Sequence, residues 1–201
     1  MSMQRPDTFT YKGEPAYAIA ISQRFTFTPA DNLGIETAGW ATSNHRGFWC
    51  DYSIDEVLTI QNLYLFSHDH QYPLINGRQA EKIPEFVRLI LEVNANSRTP
   101  KRYDDGFPMQ YMGIDYDVDY TGRIALGVKP STNKSGERRY RRVYDLLFES
   151  GILLESTDIT ELWRSTVGGE QTCSDYWWQQ EENDYYYLIN YRFMGLHGGL
   201  E

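Results

Sequence analysis

The chain has 201 residues and a formal net charge of −9; 41% are hydrophobic and 15% aromatic, including sixteen Tyr and five Trp. A chain of this length can bury a core unaided, and its two cysteines, Cys50 and Cys173, exclude a disulfide framework and a cysteine-rich zinc site. No run approaches the roughly eighteen apolar residues of a membrane span, and the acidic balance repels polyphosphate, which excludes nucleic acid as a general partner.

Residues 1–12 are polar and lack the apolar stretch of a secretory signal. A cytoplasmic protein with reduced thiols is therefore expected. The aromatic excess favours strands, because Tyr and Trp suit a pleated, half-buried surface.

In chain order, Phe9-Thr10-Tyr11 leads through Lys12-Gly13-Glu14-Pro15 into the apolar run 16–21, a strand–turn–strand pattern. Residues 24–28 alternate at period two, and 29–34 read as loop. Residues 47–54 and 57–66 bracket Asp55-Glu56 as a hairpin, and Asn76-Gly77 is a strong turn dipeptide. Over residues 83–93 two periodicities compete. Ile83, Phe86, Val87, Ile90 and Leu91 share a helical face, whereas Val87, Leu89, Leu91 and Val93 share a strand face. Pro84 in the first turn tips the reading to a helix. The polar stretch 94–106 reads as a connector.

The second half repeats the β pattern. Residues 114–120 alternate strictly, with Ile114, Tyr116, Val118 and Tyr120 facing inward and Asp115, Asp117 and Asp119 outward. Residues 122–129 read as a strand, 130–136 as a loop, and 142–148 as a strand turning at Glu149-Ser150-Gly151 into 152–155. Residues 158–163 suit a short helical turn, and 185–194 a final strand. The hairpins around Asp55-Glu56 and Ser150-Gly151 share a pattern, an acidic residue in the first strand followed by Leu-rich alternation. These signals predict a mainly β (β-rich α+β) fold: an antiparallel barrel or sandwich of ten or more strands with one or two short helices. A single β-rich domain over 1–201 is expected, the alternative being two pseudo-symmetric lobes joined near 94–106.

Charge is unevenly distributed: residues 101–142 carry nine basic and six acidic groups, and residues 143–201 two basic and eleven acidic. The basic run Arg138-Arg139-Tyr140-Arg141-Arg142 reads as the solvated start of a strand that balances the acidic last third.

Candidate chemistry is sparse. His68 and His70, at i and i+2, share a strand face as a mononuclear metal site requires. The pattern is similar to the start of the His-x-His-x-Asp-His signature of metallo-β-lactamase-like hydrolases. Tyr72 and Pro73 stand where its Asp and His belong, so a surface loop is the better reading. Asp115, Asp117 and Asp119 occupy the first, third and fifth places of a calcium loop, but Tyr120 replaces the obligatory Gly, which excludes an EF-hand. His45 and Cys50 lie five apart, on opposite strand faces, so Cys50 reads as a buried structural thiol. No phosphate-binding loop, nucleophile elbow or dinucleotide fingerprint is present.

The aromatic end carries the most weight. Adjacent Trp177 and Trp178 point to opposite strand faces, and Tyr186 and Arg192 share the face opposite Tyr185, Tyr187 and Tyr191. Exposed Trp, Tyr and Arg are interface residues. The expectation is a non-catalytic binding protein that recognises another protein through an aromatic, acidic surface formed by Trp177, Trp178, Tyr186 and Arg192. One alternative is a β-barrel that binds a small ligand or carbohydrate; a second is a metal-assisted hydrolase using His68 and His70. No cofactor, nucleic acid or membrane partner is expected.

Overall fold

The structure, a computed structural model, describes residues 7–23, 27–38, 46–67, 69–84, 108–132, 138–167 and 187–188. Strands β1 (Thr8–Tyr11) and β2 (Glu14–Ile21) form a hairpin across Lys12-Gly13. Both turn residues have positive φ, 52° and 73°. That is the geometry of a two-residue turn whose twist matches the strands it joins. Residues 29–34, expected as loop, instead contain a short helix, α1 (Pro29–Leu33). Its signals are local: Thr28 caps it by accepting the Asp31 N–H at 3.1 Å, Pro29 opens it, and Gly34 closes it at φ 68°.

Strands β3 (Phe48–Ile54) and β4 (Leu58–Leu65) form the hairpin expected around Asp55-Glu56. Asn76-Gly77 makes a minimal turn closed by two Ile75–Arg78 backbone hydrogen bonds of 2.8 and 3.0 Å. After the two-residue β5 (Glu81–Lys82) come β6 (Met109–Asp117), β7 (Gly122–Thr132), β8 (Arg138–Glu149) and β9 (Ile152–Asp158). Helix α2 (Thr160–Val167) follows β9, and β10 (Tyr187–Leu188) pairs with the end of β2. The helix expected over 83–93, the connector at 94–106 and most of the strand over 185–194 lie outside the described residues. Strand β7 continues through residues 130–132, which were expected as loop.

Among the described residues all ten strands belong to one sheet, in the spatial order β5, β6, β4, β3, β1, β2, β7, β8, β9, with β10 beside β2. The expected antiparallel barrel or sandwich is corrected to a mixed, open sheet. Strands β1 and β3 run parallel, Phe9 opposite Tyr52, because the chain crosses over through α1 before pairing again. The edges β5 and β9 do not pair with each other.

The sheet is nevertheless rolled. The turn between β8 and β9 meets the start of β4: Leu58 N–H donates to Gly151 O at 2.8 Å and Leu153 N–H to Glu56 O at 2.9 Å. The two hairpins that look alike in sequence are thus neighbours in space. Inside the roll, Tyr11, Cys50, Ile54, Leu63, Tyr111, Ile124, Leu146 and Phe148 belong to one continuous core. On the outer face of β2, β7 and β8, a smaller cluster of Ile19, Ala20, Ala125, Val143 and Ile159 is covered by Trp163 of α2. The alternation over 114–120 stands as expected, with Ile114, Val118 and Tyr120 buried and all three Asp exposed. Among the described residues no helix is long and apolar enough to cross a membrane.

Candidate binding site, a basic trough at the open end of the roll

Most aromatic rings of the described residues are buried. Phe9 stacks on Tyr52 with centroids 4.9 Å apart, Trp49 on Tyr64 at 4.9 Å, and Tyr120 meets Phe148 edge-on at 5.9 Å. Here the aromatic content builds the core rather than a contact surface. Trp177, Trp178, Tyr186 and Arg192, the expected contact residues, lie outside the described residues, as do His68, His45 and Cys173.

His70 is exposed at φ 54°, its ring edge-on to Phe66 at 6.2 Å. Neighbouring Asp69 serves the loop: its carboxylate accepts the Ser67 hydroxyl and, at 3.1 Å, the Gln71 N–H, and these bonds hold it below the usual carboxylate range. Among the described residues, no three His, Cys, Asp or Glu side chains group together to hold a metal ion. Cys50 is fully buried and burial pushes its thiol well above the usual value, opposite to the shift an activated nucleophile requires. Its N–H donates to Asp7 at 2.8 Å, and Asp7 is clamped by both Arg46 guanidinium nitrogens at 2.7 and 3.1 Å. This bonding ties the start of β1 to β3. Asp51 braces the same strands from the outer face, accepting Thr8, Asn62 and Tyr64 at 2.6, 3.0 and 3.0 Å.

The concave surface lies elsewhere, where β8 begins. Successive strand residues face opposite sides. Arg142 therefore shares the inner row with Tyr144 and Leu146, and Arg141 the outer row with Val143. Both arginines are exposed and both line two adjoining hollows. The wider, about 710 Å³, runs beside β9 and α2 past Asp158, Leu162 and Arg164. The narrower, about 300 Å³, is floored by Tyr11, Tyr144 and Val128 and rimmed by Lys12, Glu14 and Lys129. Five cations thus flank one trough on a chain of net charge −9.

Each wall is fixed by packing. The hairpin turn holds Lys12 so that its ammonium lies 4.9 Å from the centroids of both the Tyr11 and the Tyr144 ring, a cation–π contact with two faces. The rings meet edge-on at 5.2 Å, and Tyr11 is pinned by its 2.6 Å hydroxyl contact with Ser156. Arg142 donates to the Tyr144 hydroxyl at 3.2 Å, and that bond raises its already high pKa further. Lys129 pairs with Glu14 at 2.6 Å, and Arg164 with Glu161 at 2.8 Å. At the start of α2, Asp158 accepts the Thr160 hydroxyl, at 2.5 Å, and its N–H, at 2.9 Å; these bonds hold it below the usual carboxylate range. The wide arm is therefore mixed in charge, and the narrow arm is dominated by cations.

No family model, no curated protein and no solved structure matches the chain. In sequence Arg141 and Arg142 belong to a basic run with the pattern of a solvated strand start. Lys12 and Lys129 come from other turns and strands, so only the three-dimensional roll unites them.

Proposed function

We propose that this protein is a non-catalytic binding module that receives a short acidic segment of another protein in the basic trough. The observation carrying this reading is the convergence of Lys12, Lys129, Arg141, Arg142 and Arg164 on one open channel of an otherwise acidic molecule. An open trough suits an extended chain better than an enclosed small molecule. Leu162, 45% exposed beside it, offers an apolar contact between the charges. Among the described residues no further strand pairs with the outer edge of β9, whose last residues Thr157 and Asp158 line the wide arm.

Electrostatics limits the partner. Screening confines charge effects to about 8 Å at physiological salt. A few carboxylates inside the trough feel the cations, whereas a long polyanion meets the repulsion of the whole acidic body. Titration of a fluorescent dodecapeptide rich in Asp, Glu and Leu tests the reading. Saturable binding is expected, weakened about tenfold or more in Arg141→Gln/Arg142→Gln, since each lost charge-assisted hydrogen bond removes about 1.5–3 kcal/mol. Equal affinity for the double variant, or no binding to the wild type, would overturn it.

A further inference from the structure

The two arms of the trough differ in a way that bears on what the narrow one holds. Among the described residues Glu14 is the only carboxylate lining it, and Lys129 already pairs with Glu14 at 2.6 Å. Lys12, Arg141 and Arg142 then supply three positive charges around a hollow of about 300 Å³, that of Arg142 answered in part by Asp158 in the adjoining wide arm. Their donor capacity is high. An ammonium carries three N–H donors and a guanidinium five. Arg142 directs one to Tyr144, and the Tyr144 hydroxyl, accepting there at 3.2 Å, keeps its own proton to donate. Tyr11 shares its hydroxyl with Ser156 at 2.6 Å and contributes its ring to the floor.

A carboxylate brings one charge and two oxygens, which leaves most of these donors unanswered. A phosphomonoester brings roughly 1.5 to 2 negative charges and three strong acceptor oxygens. Resting on the trough reading above, we infer that the narrow arm binds a phosphomonoester carried on a side chain of the partner's acidic segment. Lys12 and Arg142 hold the phosphate oxygens against the tyrosine floor, Arg141 closes the outer side, and the flanking acidic and apolar residues run along the wide arm towards Leu162 and Arg164.

Three dodecapeptides of one acidic, Leu-containing sequence, with Ser, Glu or phosphoserine at the centre, test this against full-length protein by fluorescence anisotropy, with free O-phosphoserine as a fourth probe. The phosphoserine peptide should bind at least tenfold more tightly than the Glu peptide, and free O-phosphoserine far more weakly than either. Lys12→Asn should abolish the phosphoserine preference while leaving the fold intact, because Asn-Gly is itself a favoured pair for this two-residue turn. Equal affinity for the Glu and phosphoserine peptides would overturn the phosphate assignment and leave the trough reading standing. Failure of all three peptides to bind would remove both. Free O-phosphoserine binding as tightly as the phosphopeptide would overturn the assignment to a protein segment.

Discussion

The hydroxyl of Tyr11 lies 2.6 Å from that of Ser156, joining β1 to β9 across 145 residues of sequence. The two strands are not neighbours in the sheet, so this bond reports the rolling of the sheet directly. Tyr11→Phe keeps the ring under Lys12 and removes only the bond. It should lower the unfolding free energy in urea by about 0.5–1.5 kcal/mol. Ser156→Ala should cost a similar amount, and the double variant less than their sum. Full additivity would show that the two hydroxyls do not interact.

Gly151 fixes the second point of closure. It sits at φ 81°, and an added Cβ would lie 2.3 Å from the Val118 carbonyl oxygen. Gly151→Ala therefore combines left-handed strain with a backbone collision and should destabilise by more than about 2 kcal/mol. Gly77, at φ 76° with open space around its Cβ position, is the control. Gly77→Ala should cost only the strain, about 1–2 kcal/mol. A Gly151 variant no worse than the Gly77 variant would contradict the contact between the β8–β9 turn and Val118.

Burial of Cys50 predicts an inert thiol. In Cys173→Ser protein at pH 8, an aromatic disulfide reagent should find no reactive thiol in the native state and one after denaturation in urea. Rapid native-state labelling would place Cys50 at the surface and reopen a nucleophilic role.

The depressed pKa of Asp158 makes the anchoring of α2 sensitive to acid. The bonds from Thr160 favour the carboxylate, so the folded value lies below the unfolded one, near 3.8. Its contribution is fully present above that value and is lost as pH falls through the folded pKa. Asp158→Ala should cost about 1 kcal/mol at pH 7, the usual worth of a side-chain acceptor at a helix start. The gap between the two proteins should narrow as the pH drops below 3.8. A gap that stays constant from pH 7 to pH 2 would rule out the ionised carboxylate as its source.

Much of this fold is legible in local signals. Lys12-Gly13, Asn76-Gly77 and Ser150-Gly151 mark turns through residues at positive φ, and Asp55-Glu56 through a short polar break between two strands, signatures that need no tertiary context. The wet row of Asp115, Asp117 and Asp119 follows equally directly from period two. Helix α1 is legible only in its caps, Thr28, Pro29 and Gly34, because its five residues are too few to show periodicity. The parallel pairing of β1 with β3 was not legible, since nothing in either strand states which partner a crossover will deliver. The trough was hidden for the same reason. Lys12 sits in a turn, Lys129 late in β7 and Arg141 and Arg142 in β8, and no spacing rule connects them.

The most direct test of the trough is a nitrogen–proton correlation spectrum of isotopically labelled protein titrated with the acidic dodecapeptide. Amide shifts should concentrate at Lys12, Gly13, Lys129, Arg141, Arg142 and Leu162 and leave the far edge at Glu81 and Lys82 unchanged. Perturbations gathered on that far edge, or confined to Trp177, Trp178, Tyr186 and Arg192, would contradict the account.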